Sequence, residues 1–102
     1  RRDPQIKHRG YRMDLGEVEA ALRSVEGWQH GCCLFSQDED LLYCFWVGPL
    51  TKADLQAGMK ARLEKYMLPN VWVHLDELPL TATGKLDRMA LKAAHFGKHS
   101  IE

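Results

Sequence analysis

No stretch of this chain stays apolar long enough to span a membrane, and no secretory signal opens it. A surplus of either charge is also missing, since fourteen Lys and Arg balance fourteen Asp and Glu. A neutral chain has no overall field to gather nucleic acid or an anionic membrane, so neither is expected among its partners. Cysteine is scarce and odd in number. Cys32, Cys33 and Cys44 have no metal-ligand spacing and form no even disulfide set, so they read as buried thiols in a reducing, cytoplasmic compartment. The five histidines share no ligand spacing either, and no Asp or Cys completes a zinc set, so no metal site is expected. Ser24, Ser36 and Ser100 lack the glycine-flanked elbow of a hydrolase nucleophile.

What is present fits one small domain. At 102 residues the chain can build a real core, but it is too short to enclose both a substrate pocket and a nucleotide pocket. It opens without methionine inside a charged segment, as expected of a piece carried within a longer protein. The charges are polarised: residues 1–12 carry Arg1, Arg2, Lys7, Arg9 and Arg12 against Asp3, whereas residues 13–40 carry seven acids against Arg23 alone. The basic end is the candidate surface for phosphate-bearing ligands.

Read in order, Gln5 to Met13 has extended character around His8-Arg9-Gly10-Tyr11 and is expected to form a basic hairpin. Asp14 and Glu17 resemble a capping box that opens a helix with Leu15, Val18, Leu22 and Val25 on one face, stopped by Gly27. Gly31 to Phe35 and Leu41 to Val47 read as paired strands, the second apolar throughout and therefore central. Thr51 and Asp54 start another helix, in which Leu55, Met59, Leu63 and Tyr66 recur up to Pro69, so its methionines read as packing residues. Val71, Val73 and Leu75 alternate with Trp72 and His74 as a third strand. Asp87 caps a last helix running to about His95, and residues 96–102 read as a frayed tail. The expected fold is α+β, in the order ββ-α-β-β-α-β-α, with a hairpin followed by a three-stranded sheet packed with helices.

Between the third strand and the last helix lies Leu78-Pro79-Leu80-Thr81-Ala82-Thr83-Gly84-Lys85-Leu86-Asp87-Arg88. It is a proline-started turn, a run of small hydroxyl residues, a glycine, and a lysine just ahead of a helix. Thr83 and Gly84 leave the backbone lightly encumbered, so Lys85 can offer one ammonium to an anion. It is not a Walker A loop, because Pro79 and Leu86 stand where glycine and Ser or Thr are required. A solvated lysine in a helix-entry turn is the bland alternative.

What decides between them is the company this loop keeps. Residues Arg1 to Glu19 resemble the segment G-R-x-D-x-Q-V-K-I-R-G-x-R-I-E-L-G-E-I-E of adenylate-forming, AMP-binding enzymes. Leu78 to Arg88 resemble their closing motif L-P-L-T-x-N-G-K-x-D-R, and Tyr66-Met67-Leu68-Pro69 matches Y-M-x-P. The resemblance covers residues 1 to about 92 and implies the small C-terminal lid subdomain of such an enzyme, its large N-terminal core being absent. The details Leu15 to Glu19 and Pro79-Leu80-Thr81 are similar to the amino-acid-activating enzymes that load carrier proteins, including nonribosomal peptide synthetase modules and D-alanine:carrier-protein ligases.

The resemblance implies roles residue by residue. Lys85 matches the catalytic lysine that neutralises charge while an acid attacks the α-phosphate of ATP. Asp3 matches the hinge about which the lid turns, within a hinge region at residues 1–3, and Arg1 matches an arginine that helps bind the nucleotide ribose. Gly10 matches the glycine of the hairpin at residues 4–13 that lines the phosphopantetheine passage, with Lys7 and Arg9 flanking it. ATP with Mg2+ would be bound mainly by the absent core. The implied partners are that core, a carrier protein bearing phosphopantetheine, and a small amino acid. His8 departs from the usual isoleucine, and Thr83 stands where many relatives have Asn. The alternatives are a subdomain of an acyl- or aryl-coenzyme A ligase, or a basic nucleic-acid-binding or interaction module without catalysis. The nucleic-acid reading is weakened by Tyr11 being the sole aromatic in the basic stretch.

Overall fold

In the computed structural model, residues 5–8 and 11–98 are described, with side chains from Met13 onward. Two extended segments open the chain, β1 (Gln5–His8) and β2 (Tyr11–Asp14), paired antiparallel with Ile6 opposite Met13 and Lys7 opposite Arg12. Helix α1 (Leu15–Arg23) follows directly, with the Asp14 carboxylate accepting from the Gly16 N–H at 2.8 Å. A side-chain acceptor is what the orphan donors of a first helical turn need.

α1 ends earlier than the glycine stop at Gly27 suggests. The Ser24 N–H is shared between Ala20 O and Ala21 O at 3.2 Å each, and Val25 N–H donates to Leu22 O at 3.3 Å. Those shortened bonds tighten the last turn and close the helix. Gly27 instead turns the loop beyond, at φ 93°.

The sheet has the order β3-β4-β5, made from β3 (His30–Ser36), β4 (Leu41–Val47) and β5 (Val71–His74). β3 and β4 form an antiparallel hairpin with Cys33 opposite Cys44, whereas β5 lies parallel to β4 with Phe45 opposite Val73. A parallel pair requires a crossover, and α2 (Lys52–Lys60) supplies it. Asn70 sets the register of that pair. Its carboxamide oxygen accepts from Leu42 N–H at 2.8 Å and its own N–H donates to Leu42 O at 2.8 Å.

α2 is shorter than its apolar period suggests. Thr51 and Asp54 form the expected reciprocal capping box, but the helix stops at Lys60, and Glu64 is extended at φ −65°, ψ 152°. A separate single turn of 3-10 helix, Lys65–Met67, then carries Met67. Leu63 and Met67 are both buried in the cluster that holds Met59, so the core contacts hold although the helix does not continue.

Helices cover both faces of the sheet. Leu42, Cys44 and Trp46 point to one cluster with Val18, Leu22 and Leu55, while Tyr43, Phe45 and Cys32 point to another with Leu91. This is the strict alternation of a strand buried on both sides. α3 (Arg88–His95) closes the second face. The expected tail also differs at its start: Phe96 packs on this face with its ring 4.6 Å from that of Tyr43. Burial of an aromatic ring is favourable enough to hold the chain down past the helix end. Over the described residues the fold is thus α+β with a two-stranded hairpin, a three-stranded sheet and three α-helices. Among the described residues no helix is long and apolar enough to cross a membrane.

Candidate functional site

The lysine loop leaves the sheet just after β5, where Leu75 N–H still donates to Trp46 O at 2.8 Å. Leu78 and Leu86, at its two ends, pack against the apolar cluster under α3. Between them Leu80 and Leu86 form an antiparallel bridge, and Asp87 N–H donates to Pro79 O at 2.9 Å. The loop is therefore a small hairpin of its own, pinned at its base by the partly buried Leu78 and Leu86.

Its tip is closed by Thr81. The Thr81 N–H donates to Lys85 O at 2.7 Å and Gly84 N–H donates to Thr81 O at 2.9 Å. The Thr81 hydroxyl oxygen accepts from Lys85 N–H at 3.2 Å and lies 3.0 Å from the Thr83 hydroxyl. Gly84 has φ +86°, a left-handed conformation in which side chains other than hydrogen are strained, although a Cβ would meet nothing within 4 Å. Immediately beyond, the Asp87 carboxylate caps α3 by accepting from Ala90 N–H at 3.0 Å, and buried Leu91 anchors that helix.

The outcome is a lysine fixed at its backbone and exposed at its head. Among the described residues no hydrogen bond or ion pair holds its ammonium. Two large apolar side chains stay in solvent nearby in the sequence, Leu80 at 58% and Met89 at 72% exposure. Such a point charge on a short, ordered arm can be delivered to an anion that the rest of this domain does not hold.

Lys7 lies on β1 opposite Arg12. Arg1, Asp3, Arg9 and Gly10 lie outside the described residues, as does the tip of the basic hairpin.

The thiols have no place in such chemistry. Cys32, Cys33 and Cys44 are buried and unbridged. Burial pushes the Cys32 thiol up to about 12, and Cys33 is raised by its hydrogen bond with Cys44 and by burial. Tyr43 is likewise pushed to about 12, by burial and by donating its hydroxyl proton to Glu39 at 2.7 Å. Among the described residues no three of His, Cys, Asp and Glu converge as a metal site would require. A separate shallow concavity of about 150 Å³ lies between α1 and the segment after α2, lined by Glu17, Ala20, Ala21, Arg62 and Leu63.

Two residues have duties that the sequence pattern did not assign. Thr81 was simply one of several hydroxyl residues, and the available signal was its spacing of four from Lys85. Glu19 lies off the apolar face of Leu15, Val18, Leu22 and Val25, yet its carboxylate accepts from Cys33 N–H at 2.9 Å and ties the helix to the sheet.

A sequence profile of the AMP-binding enzyme C-terminal domain matches residues 17–85. Chondramide synthase cmdD of Chondromyces crocatus is 43% identical over 98 residues, a match covering 89% of this chain and 2% of that protein. The structure of Klebsiella oxytoca NpsA in complex with 3-hydroxyanthranilyl-AMSN is similar with a TM-score of 0.77 at 28% identity, over 88% of this chain and 19% of that one. The structure of holo-PA1221, an NRPS protein containing adenylation and PCP domains bound to a vinylsulfonamide inhibitor, gives 0.72 at 33% identity, over 92% of this chain and 16% of that one. The chain thus spans only a small fraction of the length of the relatives it matches. Its lysine loop, its two-faced sheet and these likenesses together make it a member of the AMP-binding enzyme C-terminal domain family, a part of the adenylate-forming ligases.

Proposed function

We propose that this domain is the mobile lid of an ATP-dependent enzyme that activates a small amino acid and passes it to the phosphopantetheine thiol of a carrier protein. The observation that carries the reading is the exposed ammonium of Lys85, unpaired among the described residues, on an ordered loop. In the first half-reaction a carboxylate oxygen attacks the α-phosphorus of ATP, the bond to the bridging oxygen breaks, and pyrophosphate leaves. Negative charge gathers on the phosphoryl oxygens as this happens. An ammonium brought to about 4 Å from such charge is worth about 4 kcal/mol at an effective dielectric of 20. That corresponds to about 10³ in rate.

In the second half-reaction the thiol attacks the adenylate's carbonyl and AMP leaves, a step that does not call for Lys85. The lid would turn about Asp3 between the two, and Arg1 would meet the nucleotide ribose. Gly10, with no side chain to obstruct the thiol's approach, would line the passage, flanked by Lys7 and Arg9. Magnesium accompanying the nucleotide would find its ligands outside the described residues. Three reduced, buried thiols favour a cytoplasmic setting.

The test uses the complete adenylation protein that carries this domain. Lys85→Ala is expected to reduce acid-dependent pyrophosphate exchange by about 10³ while sparing transfer from preformed adenylate to the carrier. Equal loss in both halves would remove the proposed division of labour. Offering coenzyme A beside the holo carrier protein as acceptor identifies which thiol the enzyme serves.

A further inference from the structure

We infer that Thr81 is a positioning residue for Lys85, acting through its hydroxyl to fix where the lysine's backbone, and hence its ammonium, sits when the loop meets its anion. The inference rests on the assignment of Lys85 to the adenylation step. Both main-chain polar groups of Lys85 end on this one residue: its C=O accepts from Thr81 N–H at 2.7 Å and its N–H donates to the Thr81 hydroxyl at 3.2 Å. The third polar atom of Thr81, its carbonyl, accepts from Gly84 N–H at 2.9 Å, immediately before the lysine.

Side chain and main chain have separable parts here. The Thr81 N–H and C=O bonds form with any residue at the position, and the Leu80 to Leu86 bridge and the Pro79 to Asp87 bond close the base independently. Only the contact from Lys85 N–H needs an acceptor on the Thr81 side chain. That acceptor is itself held, because the Thr83 hydroxyl lies 3.0 Å away. Gly84 would otherwise be the loosest point of the loop, since glycine at φ +86° carries no side chain to restrict it and even an added Cβ would find no neighbour within 4 Å. The hydroxyl bridges across it. In an exposed loop a freed N–H finds water, so removing the hydroxyl should leave the fold intact and widen the range of positions open to Lys85. A charge that must be in place before bonds break loses rate when its position spreads.

The experiment measures Thr81→Val and Thr81→Ser in the complete adenylation protein, with Lys85→Ala beside them. Thr81→Val should lower kcat for pyrophosphate exchange by about tenfold. KM for ATP and acid, the melting temperature and the transfer half-reaction should stay at wild-type values. Thr81→Ser, which keeps the acceptor, should restore exchange. In a Lys85→Ala background Thr81→Val should lose nothing more, because the residue acts through the lysine.

Wild-type exchange in Thr81→Val, with exchange cut by about 10³ in Lys85→Ala, would overturn the inference and leave the role of Lys85 standing. Loss of stability together with both half-reactions in Thr81→Val would overturn it in favour of a purely structural threonine, as would a further loss in the Lys85→Ala background. Normal exchange in Lys85→Ala would overturn the inference and the assignment beneath it together.

Discussion

The central strand and the lysine loop divide this domain into two regions held by different forces. β4 is buried along Leu41 to Trp46, its side chains alternating between two apolar clusters, and its stability comes from area removed from water. The loop has an apolar footing only at Leu78 and Leu86, and between them a set of short hydrogen bonds gathered on Thr81. Burial is strong and tolerant of direction, whereas hydrogen bonds in an exposed loop add little net stability but fix geometry. A scaffold can rely on the first, and a group that must arrive at one place needs the second.

Substitutions that remove one force without the other sharpen the contrast, and the largest effect belongs to the strand. Phe45 is fully buried and stacks at 5.9 Å from Tyr43, so Phe45→Ala should lower unfolding free energy by roughly 3–5 kcal/mol, read as a shifted denaturant midpoint. A shift no larger than that of a loop substitution would break the comparison.

Two glycines carry it further. At Gly31 a Cβ would lie 2.1 Å from Phe45 O and 2.9 Å from the Trp46 Cα, both backbone, so Gly31→Ala must push β3 away from β4. A destabilisation of roughly 1–3 kcal/mol is expected from such overpacking. At Gly84 there is room but the backbone is left-handed, so Gly84→Ala should lower stability by about 1 kcal/mol. If the loop's order matters more than its stability, that variant should also lose more pyrophosphate exchange than Gly31→Ala does at a temperature where both are folded.

A separate effect, graded with pH rather than set by one substitution, is a loss of stability seated in the core. Cys32 and Tyr43 hold their protons to about 12 in the folded state, against ordinary values of 9.0 and 10.0. A raised folded value means that stability is fully present below pH 9 and drains away as pH climbs toward 12. Denaturant midpoints should fall across that window, by on the order of 1 kcal/mol of stability at pH 10 for the thiol. Midpoints that stay flat up to pH 11 would show that these groups are better solvated than their burial implies.

What the sequence disclosed follows the same division. Local signals were readable: Asp14, Thr51 and Asp87 cap the helices α1, α2 and α3, and the apolar run of β4 is central. The exposure of Lys85 was readable too, because a Gly-Lys pair between small residues and a helix cap has nowhere to bury an ammonium. Features set by distant partners were not. The apolar period ran past Lys60 because Leu63 and Met67 are wanted in the core whether or not a helix joins them to Met59. Phe96 read as tail because its partner Tyr43 lies more than fifty residues away. The bonds converging on Thr81 escaped notice since three hydroxyl and glycine residues at one turn give no hint of which one closes it.

The carboxylate of Glu19 on Cys33 N–H carries a consequence for the domain's neighbours. β3 is an outer strand of the sheet, and an outer strand offers its free amides as a template on which another polypeptide can add itself. A negative charge seated on one of those amides spoils the template at its middle. The same contact that fastens α1 to the sheet thereby discourages strand-by-strand joining of one copy to the next, and Glu19→Ala would leave an edge open to aggregation.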